Sequence, residues 1–399
     1  MTTSEQWKEL ESKYYMFLVR RQPMVLERGE GARVWDVDGK EYLDFTSGWA
    51  VNNAGHCNEA VADAIAEQAR TLVQTSNQFY TIPQLKLAEI LVENSCLDKI
   101  FICNSGAEAN EGAIKLAKKY GKKNKDGAYE IITALNSFHG RTMMNVSATG
   151  QPHYQELFEP IPTGFTHVPY NDLAAIKNAT NDNTVAVMIE PVQGEGGVNI
   201  PSIEYLRGVR EWCDDNNMLL IFDEVQTGLG RLGTLFGYES FGVEPDIMSL
   251  AKGLGGGVPI GAFLAKDSAC AFDPGDHGST FGGNPLTCAA AHASTKYLID
   301  NNVAENSAKM GEYLGEGLKR LQADYEFITD VRGMGLIWAV EFDSELTPEV
   351  IPACNEAGIL MNPMRPNAIR LMPVLTITKE EIDEALARLN EGLKNATSK

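Results

Sequence analysis

The 399-residue chain predicts an α/β fold, with a large domain built on a mostly parallel central sheet flanked by helices and a smaller α+β domain attached to it. Three observations carry that expectation. Between about residues 58 and 288, short apolar runs alternate with helical patterns, the rhythm of βα units. Two of those runs, 218–222 and 247–251, are almost continuously apolar, as strands buried on both faces are. With 44% hydrophobic residues, the chain is also long enough to bury more than one core.

The large domain is expected over residues 51–290, with strands near 99–103, 130–134, 184–189, 219–222, 247–251 and 259–264. After Pro285 a helical pattern runs to about Leu321. A Gly-marked turn within 331–342 then leads into a strand, and 368–373 supplies another. These elements define the small domain, 291–399, which residues 1–50 are expected to join. There is no internal repeat, low-complexity tract or Gly/Ser linker.

Composition excludes several classes of partner. The 34 basic and 54 acidic residues give a net charge of −20, which repels nucleic acid and anionic membranes. An anionic substrate must then be caught by a few local Arg or Lys side chains. The seven cysteines contain no CxxC pair, so neither a disulfide framework nor a zinc site is expected, and no two histidines have metal-ligand spacing. The amino terminus is polar and unlike a secretory signal, and no run approaches the roughly 18 apolar residues of a membrane span. A soluble, cytoplasmic, metal-free protein is the expectation.

Two buried runs end on charged residues that suit one chemistry. The first closes on Asp223 and the second on Lys252. In open α/β sheets, ligands bind outside the carboxyl ends of the strands. A lysine that becomes a nucleophilic amine beside a carboxylate in a dry site suggests a Schiff-base enzyme with a protonated pyridine ring as electron sink.

Other motifs lie at the ends of neighbouring runs. Ser105 and Glu108 fit a capping box at a helix start, which is structural in itself, while the backbone of Gly106 and Ala107 there makes a phosphate cradle. Phe138 and Arg141 offer a stacking plate and a carboxylate clamp, or simply a packed ring and a surface cation. Glu195 sits in a Gly-rich loop, either solvated or paired with an arginine. Ser279 and Thr280 lie in a Gly-rich segment suited to a phosphate contact, although an ordinary loop reads the same. Gly228, Gly230 and Gly233 match G-x-G-x-x-G and raise a nicotinamide-dependent oxidoreductase as a rival, but five residues intervene between strand and glycines, and only a weak helix start follows.

Taken jointly, the segments 104–110, 138–142, 190–197, 222–228, 250–254 and 278–285 resemble those of the class III, fold-type I, pyridoxal-phosphate-dependent aminotransferases, and within them the N-acetylornithine group. The resemblance runs from about Gly31 to Leu389. It implies that Lys252 bonds the cofactor aldehyde and shuttles the proton, and that Asp223 pairs with the pyridine nitrogen. Gln226 would bond the phenolic oxygen, with Phe138 and Val225 on the two ring faces. Ser105, Gly106 and Ala107 would surround the phosphate, joined by Ser279 and Thr280 from a second subunit, which implies a homodimer with shared sites.

The resemblance also implies the reaction, amino transfer from N-acetylornithine to 2-oxoglutarate in arginine biosynthesis. Arg141 would clamp a substrate carboxylate and Arg370 would receive the α-carboxylate of glutamate. Glu195 would neutralise Arg370 while the ω-amino donor is bound, then swing aside. Donors such as N-succinylornithine, ornithine, 4-aminobutyrate and β-alanine remain alternatives. One departure is Trp49, where the N-acetylornithine group usually has a smaller aliphatic residue; a Trp49→Ile change is expected to favour the acylated donor.

Overall fold

The computed structural model describes residues 4–397. Its centre is a seven-stranded sheet in the order Lys99–Cys103, Gly261–Ala265, Ile247–Leu250, Leu219–Asp223, Thr184–Ile189, Glu130–Ala134, Phe165–Val168. All neighbours pair in parallel except Gly261–Ala265, which runs antiparallel to both of its own. Every residue of Thr184–Ile189 and Leu219–Asp223 is buried, as their near-continuous apolar text requires. Helices such as Gly106–Asn124 and Ile203–Asp215 cover the sheet, burying one stripe each.

The expected strands are all present, and one more closes the sheet. Phe165–Val168 buries only Val168, so its mixed text gives no apolar run to read. The long helical pattern after Pro285 is two helices, Pro285–Asp300 and Val303–Asp324. They part at Asn302, whose φ of +51° is a left-handed conformation that Asn tolerates better than most residues. Because the apolar spacing resumes directly afterwards, periodicity alone merges the two.

Two smaller sheets complete the structure. One is antiparallel in the order Ile328–Met334, Ile337–Phe342, Ala368–Leu371, Asn362–Arg365. In the other, Leu26–Glu30, Arg33–Asp36 and Glu41–Asp44 are joined by Ile359–Leu360, with Ile359 opposite Leu43. Strand Glu41–Asp44 thus pairs in parallel with Ile359–Leu360 from the far end of the chain. The fully buried Arg231 ties the parts together, donating to the carbonyls of Leu336 (2.9 Å) and Pro373 (2.6 Å) and to Asn53 Oδ1 (2.7 Å). Among the described residues, no helix is long and apolar enough to cross a membrane.

Candidate active site

At the carboxyl edge of the central sheet, Asp223 pairs in register with Ser249 on the adjacent strand, and Lys252 follows three residues beyond Ser249. Register thus brings both charged residues to one edge, on the walls of one cavity of about 460 Å³. The Asp223 side chain is held from three sides. Its Oδ2 accepts from Asn110 Nδ2 and His139 Nδ1, both at 2.7 Å, and its Oδ1 accepts from the Val225 N–H at 3.0 Å. Asn110 is itself oriented by the Ser249 hydroxyl, which donates to its Oδ1 at 2.5 Å, and it also donates to the His139 carbonyl at 2.8 Å.

Lys252 opens a short 3₁₀ turn with φ +44°, a strained conformation for a residue with a Cβ. Its side chain faces the cavity, and removal from water lowers the pKa of its amine; Glu195 pulls the other way and Arg370 reinforces the fall. Glu195 shows the reverse balance. Burial pushes its carboxyl up, but Arg370 and Lys252 outweigh burial and hold it down to about 2. Arg370 is 1% exposed and donates to Glu195 Oε1 at 2.9 Å and Gln226 Oε1 at 3.2 Å. Gln226 closes the triangle by donating to Glu195 Oε1 at 3.2 Å.

The helix Gly106–Asn124 begins at the cavity wall, and the N–H groups of its first turn lack intrahelical acceptors. Ser105 caps it by accepting from the Glu108 N–H at 3.2 Å. The capping box is only half formed, since Glu108 reaches back to the N–H of Asn104 (2.7 Å) and not to that of Ser105. A Cβ on Gly106 would lie 2.8 Å from Val225 Cγ1, so glycine alone lets the helix start approach that side chain. Phe138 also lines the cavity. At the mouth, the exposed Arg141 guanidinium lies over the Tyr154 ring at 4.0 Å and over Phe138 at 5.3 Å.

Four expected site residues lie off the cavity wall, the first being Arg370, which meets it through Glu195 and Gln226. Ser279 Oγ accepts from Asn104 Nδ2 at 3.0 Å, just behind the helix start, and Thr280 follows it on an exposed loop. Trp49 is 53% exposed at the third position of a left-handed turn, Ser47–Ala50, with φ values of 45°, 61°, 64° and 61°. Its neighbour Val51 does reach the cavity.

Asn110, His139, Ser249 and Glu190 escaped the sequence reading. Glu190 is buried and accepts from the Phe138 N–H (3.0 Å) and the Gly194 N–H (3.1 Å), which binds two loops of the site to one carboxylate. Burial raises its pKa, with His139 opposing. A signal existed for three of the four: Asn is a poor helix-interior residue, and Ser249 and Glu190 are polar groups in or beside apolar runs that must find partners. Nothing in the text distinguished His139 from a surface histidine.

This set could hold a phosphorylated pyridine aldehyde. It supplies an amine of lowered pKa, a fixed carboxylate for a ring nitrogen, an aromatic plate, and a helix N-terminus in which close packing excludes a side chain at Gly106. Among the described residues, no group of three or more His, Cys, Asp or Glu could hold a metal ion.

A family model described as Aminotransferase class-III matches residues 16–393. The acetylornithine aminotransferase of Methanocaldococcus jannaschii is 50% identical over 392 residues, 98% of this chain and 98% of that protein. Among solved structures, an ornithine aminotransferase from Toxoplasma gondii, described with partial occupancy of PLP at its active site, superposes with a TM-score of 0.95 at 36% identity, covering 98% of this chain and 94% of that one. The acetylornithine aminotransferase from Elizabethkingia anophelis superposes with a TM-score of 0.89 at 35% identity over 98% and 99% of the two chains.

Proposed function

The chain belongs to the class III aminotransferases, and from that premise we propose that it transfers the amino group of N-acetylornithine to 2-oxoglutarate, giving N-acetylglutamate 5-semialdehyde and glutamate in arginine biosynthesis. The observation that carries this reading is the 2.9 Å Glu195–Arg370 pair, whose carboxylate lines the cavity that Lys252 and Asp223 share. An ω-amino donor reacts at the end remote from its α-carboxylate, so a neutralised Arg370 suits it. Glutamate reacts beside its α-carboxylate and needs that guanidinium free. One residue pair then serves both halves of the reaction. The donor itself is supported by relatives at 50% identity over nearly the full chain. Ornithine is favoured only by structural likeness at 36% identity.

Pyridoxal phosphate, when bound, supplies an aldehyde that captures the donor amine and a protonated ring that draws electrons from the bond being broken. Lys252 would bond that aldehyde and, once displaced, would move the proton from the donor carbon, a task its lowered pKa favours. Asp223, held by Asn110 and His139, would pair with the ring nitrogen and favour its protonated form. Phe138 and Val225 would lie on the two faces of the ring, Gln226 would bond the phenolic oxygen, and the first-turn N–H groups of Gly106 and Ala107 would hold the phosphate with Ser105 nearby. Arg141 anchors the far carboxylate of the substrate from the mouth.

The working unit is a homodimer. Ser279 and Thr280 serve the phosphate of the neighbouring subunit's site, which accounts for their lying outside the cavity wall of their own chain. The exposed apolar side chains of Phe79, Tyr80, Ile82 and Phe281 supply apolar surface for the contact. Seven free cysteines suit a reducing compartment such as the cytoplasm. Single-turnover absorbance spectroscopy tests the reading: N-acetylornithine should bleach the yellow enzyme faster than ornithine, 4-aminobutyrate or β-alanine, and 2-oxoglutarate should restore the colour. Faster bleaching by another donor would reassign the substrate.

A further inference from the structure

The loop that carries Glu195 is gripped by three arginines from one sheet. In the antiparallel C-terminal sheet, Arg332 pairs with Ala339, which pairs in turn with Arg370, while Arg365 pairs with Ala368 on the far strand. Arg370 takes the Glu195 carboxylate. The other two take backbone: Arg332 Nε donates to the Gly197 carbonyl at 2.9 Å, and Arg365 Nη2 donates to the Gly196 carbonyl. Arg332 is aimed from behind by Asp330 (2.6 Å) and Glu341 (2.8 Å), which hold its Nη1.

The loop is confined on its other side as well. A Cβ on Gly196 would fall 2.3 Å from the Asn136 carbonyl oxygen, and one on Gly194 would fall 1.6 Å from Gln226 Oε1. Glu190 holds the Gly194 N–H. Gly197 sits at φ +134°, where a side chain is strained and where its Cβ would meet Arg365 Nη2 at 3.0 Å. The backbone of 194–197 is therefore wedged between the central sheet's loops and two guanidiniums, with only the Glu195 side chain left to move.

We propose that Arg332 and Arg365 are positioning residues that latch this loop, so that the change between the two substrates is a rotation of the Glu195 side chain over a stationary backbone. The proposal rests on the reading of Glu195 and Arg370 as the substrate switch. The latch holds Glu195 within reach of Arg370 in the state that accepts the ω-amino donor. Releasing it lets the loop drift, Glu195 leaves Arg370 more often, and the enzyme loses preference for the donor that needs the pair closed.

The test is single-turnover kinetics on the holoenzyme, with N-acetylornithine and with glutamate, for wild type, Arg365→Met, Arg365→Lys, Arg332→Met and Glu195→Gln. Loss of one charge-assisted hydrogen bond should lower the ratio of kcat/KM for the donor over that for glutamate by about tenfold in Arg365→Met. Arg365→Lys, which keeps a donor group, should recover part of the ratio. In the Glu195→Gln background, Arg365→Met should change the ratio no further, because both act through one side chain. Equal losses in both half-reactions, or an unchanged ratio in both arginine variants, would overturn the latch while leaving the switch intact if Glu195→Gln alone shifts the ratio. An unchanged ratio in Glu195→Gln would overturn the switch and the latch together.

Discussion

The His139 imidazole and the Asp223 carboxylate meet at 2.7 Å with 1% and 3% of their surfaces exposed, 84 residues apart in sequence. With Asn110 bonding the same oxygen, Asp223 cannot turn without breaking two buried hydrogen bonds. Removing one donor, in Asn110→Ala, leaves the carboxylate held by His139 and Val225 alone and strands the Ser249 hydroxyl. At about 1.5–3 kcal/mol for a hydrogen bond to a charged group, kcat should fall about 10- to 100-fold. Steady-state kinetics should show KM for the donor changing far less, and Ser249→Ala should show a smaller loss in the same direction.

Lys252 combines chemistry with backbone strain at φ +44°. Lys252→Ala should lower turnover by at least about a thousandfold, the scale on which a lost proton-transfer group acts. Lys252→Gly should be equally inactive yet fold more stably than Lys252→Ala, by about 1 kcal/mol, since glycine adopts that conformation without cost. Urea unfolding of the two apoproteins measures the difference.

The ion pair of Glu195 has a definite pH signature. Its carboxyl is held at about 2 in the folded protein, below the ordinary value of 4.5, so the pair stabilises the native state fully above that ordinary value. That contribution fades as pH falls toward 2. Between pH 5 and pH 3, wild type should lose more unfolding free energy than Glu195→Gln, which has no proton to take up there. Parallel losses would show that Arg370 does not depress this carboxyl.

Gly106→Ala tests the helix start. Its Cβ would press on Val225 Cγ1 at 2.8 Å, and overpacking of this kind costs about 1–3 kcal/mol. Because both residues line the cavity, the cost should appear as roughly tenfold weaker capture of pyridoxal phosphate by the apoprotein, read by absorbance titration. Val225→Ala in the same chain should restore much of the affinity.

The structure changes the test of Trp49. At φ +64° a β-branched replacement such as Trp49→Ile carries a backbone cost of its own, which would mask any effect on the pocket. Trp49→Leu keeps an unbranched Cβ. It should raise kcat/KM for N-acetylornithine relative to β-alanine if the indole narrows the acyl side of the site, and equal changes for both donors would rule that out.

What the sequence determined by itself was local in origin. Almost continuously apolar runs marked Leu219–Asp223 and Ile247–Leu250 as buried strands, and six ordered motifs marked the aminotransferase family. Periodicity failed where its signal was interrupted or absent, at the break on Asn302 and at the edge strand Phe165–Val168. Tertiary structure alone decided which polar groups meet. Arg370 finds Glu195 across 175 residues and Asn110 finds Asp223 across 113, pairings set by strand order and register. Only the fold gives a buried charge or amide its partner, because the need for one is written in the residue type while its address is written in the packing.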